Sequence, residues 1–299
     1  MKKTYLSVYI TLAVVVACFI IGSFFDFQIN DAVFSNRDTF GLVVSVIGTI
    51  PGYGVLAFLG GGFLYLGLKR ELPHIAIKIL VFFLSVACFG CSVYFSGKEF
   101  FGPNGFYWLG IHKFYGLLIA LPVDAAIAFL GFKITSKSEN DKLWLIYTVL
   151  SVAILISLVA GVTLIKAIFH RPRFRSLGAE GIDFYPWWIP CKNYKDYIAL
   201  GVGEEEFKSF PSGHAGTAAV FMMGTLFLPY ISEKFEKISF ISYFVGLAWL
   251  LLVAFARMRV GAHFLSDVSM GAILSIVVLF IAKIVIDNVK YFSRSQQSE

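Results

Sequence analysis

The chain has 299 residues, of which 58% are hydrophobic and 15% charged, and it carries a net charge of +6. A water-soluble domain holds about a quarter charged residues, so this composition excludes a surface wetted all round and requires lipid over much of it. The positive charge does not mark a nucleic-acid binder, because the basic residues lie between apolar runs and at their ends, with none arrayed along one solvated face.

From the N-terminus, Lys2 and Lys3 precede an uncharged run from Thr4 to Phe25. That run exceeds the core of a signal peptide and ends without a clear small-residue cleavage site, so it reads as a retained span. Crossing a bilayer takes about 20 mostly apolar residues, and eight stretches qualify, near 5–25, 47–68, 75–97, 114–132, 143–169, 212–231, 238–256 and 263–287. The expected fold is therefore an all-α, polytopic membrane helix bundle of about eight transmembrane helices. Cys88 and Cys91 form a C-x-x-C pair inside one apolar run, where small packing residues are far commoner than a metal or redox site. With the N-terminus inside, basic residues from Lys2 and Lys3 through Lys133, Lys137 and Lys142 to Lys290 and Arg294 fall on the inner side. The outer side is basic mainly between Lys166 and Lys208. Both termini are thus expected inside. Asp124, in mid-span, reads as an interhelical hydrogen-bond partner, and Glu204–Glu206 as a solvated acidic turn.

Five of the eight arginines fall at 171–175 and 257–259, both at predicted outer ends of spans. Guanidinium is a planar fork of donors that matches phosphate oxygens, so the clusters predict an anion site. Snorkelling interfacial arginines are the bland alternative. Pro211-Ser212-Gly213-His214 opens the sixth span with residues suited to a helix start. Such a terminus offers free N–H groups to an anion, and Gly213 permits close approach. His263 and Asp267 lie four apart and share a helix face. A carboxylate there can orient an imidazole whose other nitrogen acts as nucleophile or base. Ionisable groups within spans are costly, which favours function over packing.

This set resembles the type 2 phosphatidic acid phosphatase superfamily over roughly residues 143–287. The first motif of that family, Lys, six residues, Arg-Pro, is met by Lys166 and Arg173, with Phe174 in place of proline. Arg171-Pro172 offers a competing register, leaving Arg171 and Arg173 both candidates. The second motif, Pro-Ser-Gly-His, stands intact at 211–214. The third, Ser-Arg, five residues, His, three residues, Asp, is met by Arg257, His263 and Asp267, with Ala256 in place of serine.

The resemblance implies an integral membrane phosphatase acting on a lipid phosphate or diphosphate, without metal or cofactor, and the orientation read from the basic residues puts its site on the extracytoplasmic side of the cell membrane. His263 would attack phosphorus, oriented by Asp267, and His214 would serve as acid–base. Lys166, Arg173, Arg257, Ser212, Gly213 and Arg171 would bind the phosphoryl oxygens, with Arg259 a further candidate. It also implies two parts: additional N-terminal transmembrane helices over 1–140 and a phosphatase-like membrane domain over 141–290, the core lying in the C-terminal half. The partners expected are membrane lipids and a lipid phosphate substrate, with no nucleic acid. A transporter or lipid-binding protein that keeps an anion site is the competing class, although binding alone needs arginines and no nucleophile.

Overall fold

A computed structural model describes residues 2–36, 38–102, 105–106 and 109–288. Lys290 and Arg294, two of the basic residues used for orientation, lie outside them. Among the described residues the regular structure is all helical: α1 (Lys2–Val33), α2 (Thr39–Ile47), α3 (Ile50–Lys69), α4 (Ile75–Lys98), α5 (Gly116–Thr135), α6 (Leu143–Leu155), α7 (Leu164–Phe169), α8 (Tyr194–Ala199), α9 (Gly213–Gly224), α10 (Glu236–Arg259) and α11 (Leu265–Asn288). A π-helical stretch, Ile156–Thr163, joins α6 to α7 into one rod.

Among the described residues, seven helical segments are long and apolar enough to cross a membrane. They match seven of the eight expected spans. The remaining one, near 212–231, is short, with 12 residues in α9 followed by six in a 3₁₀ turn, Thr225–Tyr230. At 1.5 and 2.0 Å rise per residue that rod is about 30 Å long, comparable to the hydrocarbon thickness. It sits at the centre of the bundle against α3, α10 and α11, with His214 through Val220 buried. The outer helices turn large apolar residues outward, among them Leu6, Val14, Phe24, Phe83, Leu118, Phe129 and Leu251. In water such a surface would drive association; in lipid it is the solvated face.

Helix packing in lipid relies on close backbone approach, and α3 supplies it. A Cβ at Gly52 would strike the Thr217 carbonyl of α9, and one at Gly61 the Ala128 backbone of α5. The break between α2 and α3 follows from sequence. Pro51 occupies the first turn of α3, while at the far end of α2 Asp38 caps the helix by accepting from the Gly41 N–H at 2.6 Å. Asp124 meets Ser92 of α4 at 2.9 Å, the interhelical contact expected of it.

Helix α1 packs along α11. Where α11 ends, Asp287 accepts from Tyr5 at 2.5 Å and from Tyr230, and pairs with Lys283 at 3.1 Å. This polar knot fixes the N-terminal helix to the C-terminal half. The opposite ends of α9 and α11 carry the motif residues.

Candidate active site

Three chain segments converge at that end. Helix α7 stops at His170, whose left-handed φ of 42° turns the chain away. The connection to α9 then folds back on itself: the Arg173 N–H donates to the Glu206 carbonyl at 2.8 Å, and the Ser209 N–H to the Arg171 carbonyl at 3.1 Å. Ser212 caps α9, accepting from the Ala215 N–H at 3.4 Å. Its own N–H donates to the Asp267 carbonyl at 2.9 Å, which ties the start of α9 to α11. Gly271 makes this approach possible, since a Cβ there would run into the Ser212 carbonyl. Between α10 and α11, Gly261 takes a φ of +63° and reverses the chain, leaving His263 ahead of α11.

His263 is buried at 2% exposure. Its Nδ1 donates to the Ser209 carbonyl at 2.7 Å, and the Asn30 amide of α1 donates to its carbonyl at 3.0 Å. With Nδ1–H so engaged, Nε2 is the nitrogen that keeps a lone pair for chemistry. Burial holds the imidazole well below the ordinary histidine range. Lys166, Arg257 and Arg173 push the same way, against the pull of Asp267. That direction favours the uncharged ring that nucleophilic attack requires.

Asp267 differs from expectation in one respect. Its Oδ2 stands 3.8 Å from His263 Nδ1, too far for a hydrogen bond. Instead it accepts from the Ser209 hydroxyl at 2.5 Å and from the Phe264 N–H at 2.8 Å. The carboxylate therefore fixes Ser209, and the Ser209 carbonyl fixes the ring.

Arg171 also stands apart from the phosphate-ligand role. Its guanidinium donates to Asp267 at 2.6 Å, to Asp26 of α1 at 2.9 Å, to Ser266 at 2.9 Å and to the Tyr185 carbonyl at 2.9 Å, and it lies over the Phe264 ring, 4.0 Å from the centroid. All of its direction is spent on internal partners, and it does not line the cavity described below. Arg173 does line it, which separates the two competing registers on geometry. Arg259 pairs with Asp38 at 2.9 Å, away from the cavity.

A cavity of about 450 Å³ has Lys166, Arg173, Lys208, Gly213, His214 and His263 in its polar wall, with Glu99 and Glu205 beside them. Arg257 is buried next to this group and acts electrostatically on His214, His263 and Glu99. Ser212, fully buried as the cap of α9, presents its backbone junction with Gly213. The other wall is apolar and formed by α3, α4 and the rod α6–π–α7, through Leu56, Phe83, Ala87, Leu155, Leu158 and Val159. His214 directs Nε2 at the Ser45 carbonyl, 3.1 Å away.

Sequence reasoning missed Asp26, Asn30, Ser45, Glu99 and Ser209. It also undervalued the acidic turn: Glu206 grips Arg175 through two bonds of 2.7 and 3.0 Å, and Glu205 faces Arg173 at 3.8 Å. The Trp187–Trp188 stretch is anchored in part by protein, since the Trp187 indole donates to Ser23 at 2.9 Å and stacks on Phe210. Cys88 meets Ser151 at 3.6 Å, consistent with packing. Among the described residues no three His, Cys, Asp or Glu side chains cluster as a metal cage would require.

No curated protein and no solved structure matches the chain. A family model described as the PAP2 superfamily matches residues 141–291, about half of the chain. That stretch contains all three motif segments, in a family whose function is of phosphatase type. The chain belongs to the PAP2 superfamily.

Proposed function

We propose that the protein hydrolyses a lipid phosphate or diphosphate through a phosphohistidine on His263. The observation that carries this reading is a buried imidazole pinned through Nδ1 in the same cavity wall as Lys166, Arg173 and His214, with an apolar wall continuing from it. The His263 Nε2 lone pair attacks phosphorus, and the bond from phosphorus to the lipid oxygen breaks. His214 gives that oxygen its proton. In the second half His214 takes a proton from water, hydroxide attacks the phosphohistidine, and the N–P bond breaks to release inorganic phosphate. Lys166, Arg173 and Arg257, with the N–H groups opening α9, would hold the charge that develops on the equatorial oxygens. These fixed cations do the work a divalent ion would otherwise do, so the reaction proceeds without metal.

The lipid character follows from the apolar wall. Phe83, Leu155 and Val159 line the cavity and are also exposed on the outer faces of their helices, so a chain entering from the bilayer stays in apolar surroundings while its headgroup meets the cations. Ala87→Trp would fill this part of the cavity. It should raise KM for a long-chain lipid phosphate about tenfold, a loss typical of a few methylenes of contact, while leaving a short-chain phosphate ester unaffected in steady-state assays.

The detergent-purified protein, offered a panel of lipid phosphates and diphosphates in excess chelator, should release phosphate from at least one. No release from any member, with or without divalent ions, would reject the reading. We place the site on the outer face. A cysteine introduced in the 176–183 loop should react in intact cells with an impermeant thiol reagent; protection there with labelling near residue 137 would reverse the orientation.

A further inference from the structure

The 141–291 match leaves the leading helices unassigned, yet one of them ends in the active site. Helix α4 stops at Lys98, and the next residue, Glu99, lines the cavity. Its Oε2 lies 3.6 Å from His214 Nε2, the nitrogen that also faces the Ser45 carbonyl of α2 at 3.1 Å. Two acceptors from outside the matched region therefore converge on one nitrogen of the acid–base histidine. His214 Nδ1 makes no hydrogen bond among the described residues, which leaves it for the leaving oxygen.

The surroundings explain why a carboxylate is needed. Lys166, Arg173, Arg257 and His263 act on the His214 ring, and a proton on His214 would add a further positive charge to a site already rich in cations. Around Glu99 stand Lys98, Arg257, Arg173 and Glu205. Burial pushes the Glu99 carboxyl above the usual carboxylate range, and the three cations offset only part of that rise.

We propose, resting on the phosphatase reading, that Glu99 is the positioning residue of His214: its carboxylate holds the imidazolium that protonates the leaving alcohol. Nε2–H stays directed at Ser45 and Glu99 throughout. Nδ1 gives its proton to the leaving oxygen as the P–O bond breaks, then recovers one from the attacking water. Glu99 exchanges no bond with substrate; it makes the charged form of His214 accessible. The N-terminal helices thus complete the catalytic machinery.

Glu99→Gln keeps shape and removes charge. On an alkyl lipid phosphate, whose leaving group needs a proton, kcat should fall about 10- to 100-fold, at or below the low end of a general acid's whole contribution, as fits a residue that acts through His214. On p-nitrophenyl phosphate, whose leaving group needs none, the first-turnover burst of nitrophenolate, which precedes the dephosphorylation step that His214 also serves, should change little. The alkaline limb of the pH profile should move to lower pH, because losing the carboxylate makes His214 release its proton more readily. Glu99→Asp should recover part of the loss. NMR titration of ¹⁵N-histidine-labelled protein in detergent reads the same pairing without turnover: the His214 midpoint should fall in Glu99→Gln. Equal losses in the first turnover of both esters, or an unmoved His214 midpoint, would overturn the proposal. Should the wild-type chain hydrolyse neither ester, the phosphatase reading falls, and the titration alone decides the pairing.

Discussion

His263→Ala should lower phosphate release about 10⁴-fold or more, the scale of losing a nucleophile in other covalent enzymes. The expectation rests on geometry specific to this residue. Its Nδ1 is held by the Ser209 carbonyl and its ring is buried, so Nε2 is the nitrogen that keeps a lone pair. His214, the other histidine lining the cavity, is buried as well but turns Nε2 toward the Ser45 carbonyl and the Glu99 carboxylate, which suits it to carry a proton. The loss should appear in kcat, because the phosphate-holding cations remain. A variant that keeps binding inorganic phosphate while failing to turn over would meet the expectation. Retention of wild-type kcat would remove His263 from the mechanism.

Arg171→Ala and Arg173→Ala should fail in different ways, although the residues are two positions apart. Removing Arg171 leaves Asp26 and Asp267 buried without their shared cation. Breaking a buried pair by deleting one partner costs about 3–5 kcal/mol, so this variant should unfold at a markedly lower temperature in detergent. Arg173→Ala should unfold near the wild-type temperature and lose affinity for inorganic phosphate as a competitive inhibitor. A stable Arg171→Ala protein with weakened phosphate binding would return Arg171 to the ligand set.

Why one arginine braces and the other lines the cavity was not legible from the motif. The first-motif spacing admits both registers, and what separates them is Asp26, which sits 145 positions earlier on α1. Asn30, Ser45 and Glu99 share this character. Each is a single polar residue in or beside an apolar run, with no local spacing to mark it, and each meets its partner only after the helices pack. The Ser266 N–H, for instance, finds Asp26 across 240 positions. Residues whose partners are close in sequence were readable: Ser212 as a cap, and the joint placement of His263 and Asp267. The link between those two was readable only in part, because the tight turn at Gly261 lets Ser209 come between them.

The spans were legible because hydrophobic length is a local property. Helix α9 is the instructive exception. Its polar first turn and its 3₁₀ continuation through Pro229 shorten the helix proper. It can be short because it is central, shielded from lipid by α3, α10 and α11. The feature that weakened it as a membrane span is the one that brings Gly213 and His214 to the cavity.

The most direct test of the central claim is to quench the enzyme during turnover of a lipid carrying radiolabelled phosphate and to map the label. The account predicts an acid-labile, base-stable phosphoryl group on the peptide containing His263, absent from His263→Ala and accumulating when the second half-reaction is slowed. Label on a different residue, or full turnover with no covalent label under conditions that trap it, would contradict the phosphohistidine route.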